Sequence, residues 1–283
     1  MYNLQICLRL CVNKEEFFIS RFDSGVIGDD GALVDNLIYS SDLFFENIHF
    51  KRSWMSLYQI GYKAMMVNIS DAIAMNAKPL YAVLGVAIPA SLSRSELIEL
   101  SNGLRDGAKK FNIAIIGGDT IANNKLDISI TIVSRSDNPL TRYGLKVGDI
   151  IAHTGRVGES KKQLGYLFAG ASLHNKHRFI APTIRGDFIS RARKHLRAGM
   201  DISDGLFSDI KKLTSLNSLG AKLVKKIPKN IGCSGEEYEM LVAFAPRNYD
   251  AIKKIARITK TPLTPVARVV RGGYIRVCKP NHF

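Results

Sequence analysis

The carboxylates of this chain are unevenly divided, with 16 aspartates against 9 glutamates in a sequence otherwise rich in Lys and Arg. Asp suits tight turns, caps and compact oxygen-ligand sites, whereas solvated helical faces favour Glu. The aspartates stand in Gly-, Ser- and Thr-containing apolar settings: Gly28-Asp29-Asp30-Gly31, Ser40-Ser41-Asp42, Ile69-Ser70-Asp71, Gly117-Gly118-Asp119-Thr120 and Asp201-Ile202-Ser203-Asp204-Gly205. Such turns, spread over both halves of the chain, suit several magnesium ions bridging a polyphosphate, because Mg2+ takes a few carboxylates and fills its other positions with water and phosphate oxygens. Phosphoryl transfer at such a site is mostly positioning and charge neutralisation. The common nucleotide signatures are absent: there is no G-x-x-x-x-G-K-[ST] loop and no kinase catalytic loop, and Gly155-Arg156-Val157-Gly158 is too short for G-x-G-x-x-G.

The elements that must position these residues follow from periodicity. A strand over 32–40 delivers Asp42, and a helix over 56–77 carries Asp71. In that helix Ile60, Ala64, Val67, Asp71 and Ala74 follow at steps of three or four, so Asp71 lies in line with the buried stripe. A carboxylate there needs compensation, by a cation or metal or, alternatively, by a cap or a lysine partner. A strand over 80–88 stops at Pro89, and the hydroxyls at 91–95 open a helix that runs to about Phe111. Strands are expected over 113–116, with Gly117-Gly118-Asp119 at its end, and over 126–134. The polar stretch 135–139 separates two domains, 1–138 and 139–283. Strands over 149–153, 238–244 and 264–270, a short strand into Asp201, and helices over 159–172, 185–196, 205–216 and 247–258 complete the second. The expected fold class is α+β, built as two α/β-type lobes with a nucleotide in the cleft between them.

Composition narrows the function classes. With 283 residues, 46% of them hydrophobic and 23% charged, the chain has ample apolar material for packed cores and is not disordered. Its longest apolar stretch, 80–90, is broken by Gly85 and Pro89, so no membrane span is expected. The N-terminal run holds Arg9 and lacks a small-residue cleavage site, so a cytoplasmic protein is expected. Cys7, Cys11, Cys233 and Cys278 form no C-x-x-C pair and no zinc-finger spacing, and four free thiols are expected. The net charge is +15, yet the basic residues are dispersed, with runs no longer than pairs such as Lys109-Lys110 and Lys225-Lys226. Aromatic residues do not interleave with them, so the basic surface is read as attracting small polyphosphate anions, with no nucleic-acid partner.

Six segments in chain order resemble one family. Ile27-Gly28-Asp29-Asp30-Gly31-Ala32 resembles a GDDAA turn, the segment from Ser40 to Phe50 resembles (S/T)-T-D-x-L-V-E-G-V-H-F, and that from Asn68 to Pro79 resembles NLSDLAAMGARP. Gly117-Gly118-Asp119-Thr120, Asp201-Ile202-Ser203-Asp204-Gly205-Leu206 and Gly235-Glu236-Glu237-Tyr238-Glu239 resemble GGDT, DISDGL and GEDYE. The chain thus resembles the thiamine-monophosphate kinases of the aminoimidazole-ribonucleotide-synthetase-like superfamily. The resemblance implies that superfamily's two-domain fold, with an N-terminal mixed-sheet domain for ATP, magnesium and dimerisation and a C-terminal α/β domain. It implies ATP-dependent phosphorylation of thiamine monophosphate to thiamine diphosphate, by direct in-line transfer with Mg2+, in a homodimer joined through the first domain.

Residues carry over motif by motif. Asp30, Ser40, Ser41, Asp42, Asp71, Asp119, Asp201 and Asp204 match magnesium-binding positions, and Asp30, Asp71, Asp119 and Asp204 are the expected catalytic carboxylates. Gly118, Asp119, Ser203 and Arg142, the last within a segment resembling R-S-G-A-K-P-G-D, match positions around ATP. His49 and Glu236 match substrate-side positions, with a core histidine as the alternative for His49. Glu237 stands where the family has Asp, Ser101-Asn102 where it often has an aromatic residue near the nucleotide, and the tail 279–283 keeps only the final His-Phe. The acceptor is already an anionic phosphate, so no general base is expected. Three other readings are a selenophosphate-synthetase-like sister enzyme, a basic nucleic-acid-binding protein and a catalytically dead relative. The first would offer a reactive N-terminal Cys, but Cys7 and Cys11 lack the expected Lys context.

Overall fold

The structure is a computed structural model that describes residues 14–22, 25–273 and 278. Cys7, Cys11 and the tail over 279–283 lie outside the described residues. Among the described residues ten strands form two five-stranded sheets. The strands are β1 (Ala32–Val34), β2 (Leu37–Phe45), β3 (Lys78–Pro89), β4 (Ala114–Asn123), β5 (Asp127–Arg135), β6 (Ile150–Thr154), β7 (Ala198–Asp201), β8 (Gly220–Leu223), β9 (Met240–Phe244) and β10 (Leu263–Val270). The helices are α1 (Lys14–Ile19), α2 (Leu57–Ala74), α3 (Arg94–Lys110), α4 (Glu159–Phe168), α5 (Gly186–Ala192), α6 (Leu206–Ser215), α7 (Lys229–Gly232) and α8 (Tyr249–Ile258).

The first sheet runs β1-β2-β5-β3-β4. It is mixed, since β3 and β4 are parallel while β2, β5 and β3 pair antiparallel. On β5, Ile128, Ile130 and Ile132 point to one face and are fully buried against α2 and α3, as the two-residue side-chain period requires. Ser93 caps α3 within the hydroxyl run expected to open it, and Ser56 caps α2 as well; each closes a capping box, with Glu96 and Gln59. α2 is buried on nearly every side, not along a stripe alone, because it reaches from the first core (Ile69, Ile73) into a core of the second sheet (Ala74).

The second sheet runs β7-β9-β6-β10-β8, with every pair antiparallel. β9 is buried throughout, Leu241 and Ala243 packing with α6 on one face and Met240, Val242 and Phe244 with α5 and α8 on the other. Helices on both faces explain why this strand reads as a continuous apolar run.

Several local expectations change. The single strand over 32–40 is a hairpin: Asp35, at φ 55°, turns the chain so that β1 pairs back on β2, and Asp42 lies within β2, not at a strand end. Gly117-Gly118-Asp119 does not end a strand either, because parallel pairing with β3 carries β4 through it to Asn123. The helix over 185–196 breaks into α5 and a single 3-10 turn. The expectation of four free thiols is corrected, since Cys233 and Cys278 form a disulfide with Cα atoms 5.5 Å apart. Spacing alone conceals it because the two cysteines stand 45 residues apart and meet only where Cys278 packs against the second core.

Candidate active site

The elements above bring aspartates from both halves to one place. β2 sets Asp42 and Phe44 on the face toward α2, and the Asp42 N–H donates to Asn68 Oδ1 of that helix at 2.8 Å. One turn on, α2 presents Asp71. From the second sheet, β7 ends in Asp201, whose carboxylate accepts from Ser70 Oγ at 2.6 Å. Oxygens of Asp30, Asp71 and Asp201 all lie within 4.8 Å of one another. The Asp71 carbonyl accepts from the Met75 N–H at 3.1 Å within the helix, but among the described residues none donates a hydrogen bond to the Asp71 carboxylate.

Burial pushes the carboxyls of this group upward, and their mutual repulsion adds to it: Asp30 to about 7, Asp42 to about 6 and Asp201 to about 6, with Asp71 also raised well above the usual range. Two cations answer them. The Arg142 guanidinium contacts Asp30 and lies 4.0 Å from Asp29, and the Arg142 N–H donates to Asp29 Oδ2 at 3.0 Å. The Lys212 ammonium contacts Asp204. Even so, Asp30 Oδ2 is buried without a hydrogen-bond partner, an acceptor that a further cation could satisfy.

The carboxylates line a cavity of about 480 Å³, together with Ser41, His49, Arg142, Ser203, Asp204, Lys212, Glu236 and Tyr238. A second cavity of about 370 Å³ adjoins it, lined by Lys51, Trp54, Leu164, Phe168 and Phe179. His49, Ser203 and Glu236 line both. The backbone sets this shared wall. Glu236 and Tyr238 sit at φ 55° and 51°, and the Glu236 N–H donates to the Ser203 carbonyl at 2.7 Å, clasping the two loops together. The Lys63 ammonium, fully buried on α2, lies 3.2 Å from Glu236 and 3.5 Å from the Phe179 ring centroid. His49 Nδ1 accepts from the Phe45 N–H at 3.0 Å, so Nε2 carries the proton.

Of the residues singled out from sequence, Asp30, Ser41, Asp42, His49, Asp71, Arg142, Asp201, Ser203, Asp204 and Glu236 meet around this cavity. Ser40 is buried beside it on β2. Gly118 and Asp119 do not meet it within one chain; they lie on β4, all of whose residues are exposed. Sequence reasoning missed Lys63, Lys212 and the rings Trp54 and Phe168. Lys63 had a signal, since it stands two helical turns before Asp71 on the same face.

The region 28–135 matches the family model "AIR synthase related protein, N-terminal domain". The thiamine-monophosphate kinase of Buchnera aphidicola is 30% identical over 263 residues, covering 82% of this chain and 80% of its own. The chain belongs to the thiamine-monophosphate kinase family. A second member, from Aquifex aeolicus, is 29% identical over 217 residues, covering 73% of this chain and 71% of its own. Among solved structures, the thiamine-monophosphate kinase of Stenotrophomonas maltophilia superposes with a TM-score of 0.76 at 25% identity, covering 92% of this chain and 94% of its own. "AaThiL complexed with AMPPCP and TMP" superposes with a TM-score of 0.83 at 24% identity, covering 94% of each chain. Thiamine-monophosphate kinases therefore share this fold along nearly the whole chain.

Proposed function

We propose that this chain transfers the γ-phosphoryl group of ATP to the phosphate of thiamine monophosphate, giving thiamine diphosphate and ADP, by in-line attack of the acceptor phosphate oxygen. The observation that carries the reading is the pair of joined cavities, one lined by carboxylates and the other by rings, with His49, Ser203 and Glu236 between them. The ring cavity suits a cationic heteroaromatic acceptor: Trp54 and Phe168 meet edge to face at 4.7 Å, and the Lys51 ammonium already lies 4.9 Å and 5.7 Å from their ring centroids. A thiazolium ring can take that place, which sets the acceptor phosphate toward the carboxylates.

Asp30, Asp71 and Asp201 are proposed to hold magnesium, with Asp42, Asp204, Ser40 and Ser41 around them. Their converging oxygens, Asp30 Oδ2 and Ser40 Oγ among them buried without a hydrogen-bond partner, fit a hard divalent cation. Bound Mg2+ would shield the charge of the two phosphates as they approach. Arg142 and Ser203 are assigned to the nucleotide phosphates, and His49 Nε2–H and Glu236 to the acceptor. The division into 1–138 for nucleotide, metal and assembly and 139–283 for closing the cavity follows the same reading.

The assembly is proposed to be a homodimer through the first sheet. Its outer face exposes Leu43, Tyr81, Ile116 and Ile121, the last two at 58% and 60%. Asp119 stands level with Gly85, Ser129 and Leu43, three strands from β2, or roughly 14 Å from it at the usual strand spacing. Gly118 and Asp119 are therefore assigned to the neighbouring protomer's nucleotide. Ile116→Glu should give a monomer by light scattering with much reduced turnover. An ATP-consuming biosynthetic step fits the cytoplasm, and among the described residues no helix is long and apolar enough to cross a membrane.

The test is incubation with γ-labelled ATP, Mg2+ and thiamine monophosphate, followed by chromatography. Label in thiamine diphosphate is expected; label released only as inorganic phosphate overturns the reading.

A further inference from the structure

Asp209 is a buried acidic side chain near the cavity that no role above uses. It sits on the inner side of α6, fully buried, and neither carboxylate oxygen has a hydrogen-bond partner. A buried carboxylate left so is costly. Its charged surroundings are Asp204, Lys212, Asp201 and Arg142.

Lys212 stands three residues after Asp209 on the same helix, close enough for their side chains to be neighbours. Helical side chains lean toward the N-terminus, and Lys212 leans far enough to put its ammonium on Asp204, eight residues back and just before α6 begins. The lysine stem therefore runs past the level of Asp209 to reach Asp204. Its ammonium has two carboxylates along its path: Asp204, which lines the cavity, and Asp209, which lies behind it. Only the outer one is occupied.

We propose that Asp209 is a positioning residue for the metal site: Lys212 neutralises Asp204 while no divalent cation is bound, and its ammonium withdraws to Asp209 when the cation takes Asp204. The inference rests on the assignment of Asp204 to magnesium. A lysine that pairs with a metal ligand competes with the metal. Displaced without a second partner, its charge would stay in the cavity beside the incoming ion. Asp209 supplies that partner, so the exchange leaves Lys212 paired in both states and keeps its positive charge away from the ion. Asp209 acts only through Lys212, which gives the idea its distinguishing signature.

The experiment is calorimetric titration of Mg2+ alone into the wild-type protein, Asp209→Asn, Lys212→Met and the double variant. Asp209→Asn is close in shape and removes a buried charge, so it should fold with an unchanged or higher melting temperature. It should bind Mg2+ about tenfold more weakly than wild type where Lys212 is present. In the Lys212→Met background the same substitution should change affinity by less than about twofold, the coupling expected of two residues that act as a pair. In wild-type protein the side-chain nitrogen resonance of Lys212 should shift on Mg2+ addition, and in Asp209→Asn it should not shift in the same way. Equal losses in both backgrounds, no loss in either, or a Lys212 resonance unmoved by Mg2+ overturns the proposal. If wild-type protein binds Mg2+ and Asp209→Asn matches it, this proposal alone fails. If wild-type protein binds none, the magnesium assignment fails with it.

Discussion

Asp71→Asn separates a metal ligand from a structural carboxylate. Oxygens of Asp71 lie within 4.8 Å of oxygens of Asp30 and Asp201, a separation at which two ionised carboxylates repel by about 3.5 kcal/mol at an effective dielectric of about 20. With two such neighbours the sum is about 7 kcal/mol, and the attraction of Arg142 together with proton sharing within the cluster reduces it. We expect the variant, without metal at pH 8, to be more stable than wild type by about 3 kcal/mol, raising the melting temperature by about 6–12 °C. The pH dependence supplies a second reading. Asp30 titrates near 7 and Asp201 near 6 in the folded chain, against 3.8 when unperturbed. Between these values the folded state binds more protons than the unfolded state, so metal-free stability falls as pH rises from about 4 to about 7 and levels off above. Saturating Mg2+ should offset that fall in wild type and far less in the variant. Turnover of the variant should drop by about a thousandfold if the site acts by charge neutralisation as proposed. The assay is scanning calorimetry in EDTA and in Mg2+ at pH 5 and pH 8, beside the turnover rate. A lower metal-free melting temperature with retained metal dependence would refute the ligand role.

Three further outcomes follow from particular contacts. Glu237 Oε1 accepts from Gly158 N–H, Ser160 N–H and Ser234 Oγ, satisfying the first turn of α4, so Glu237→Ala should cost about 3 kcal/mol in denaturant unfolding. Because α4 carries Leu164 and Phe168 into the ring cavity, KM for thiamine monophosphate should rise more than KM for ATP. Reduction of Cys233–Cys278, which spans 45 residues, should remove about 4 kcal/mol on the chain-entropy account; an identical melt with and without dithiothreitol would contradict it. Gly118→Ala would drive a Cβ into the Leu84 carbonyl, whereas at Gly117 a Cβ meets open space. Soluble yield and melting temperature should therefore fall much further for Gly118→Ala than for Gly117→Ala.

Much of the site was legible from local chemistry. Serine caps with Gln59 and Glu96 three residues on identify the starts of α2 and α3 because the bonds that make them lie within one turn. Asp-Gly and Gly-Asp turns identify candidate ligands because few other roles need short carboxylates in apolar company. The turn at Asp35-Asn36 was legible too, but the flanking apolar residues read as one strand. β4 was not, since the glycines that mark a break locally are overridden by hydrogen bonds to a strand some thirty residues earlier. The Cys233–Cys278 link likewise joins residues 45 apart, an approach that no spacing records.

The sequence by itself determined the kinds of group at the site and the family to which they belong, because each motif is a contiguous run whose chemistry is carried by its own side chains. Only the tertiary structure decided which aspartates converge. Asp30, Asp71 and Asp201 come from a loop, a helix and a strand end, and they converge only because α2 packs between the two sheets. Asp119 belongs to an equally persuasive motif, yet it stays apart on an exposed edge strand, since a strand's place in its sheet is set by pairing across the fold and not by the residues it carries.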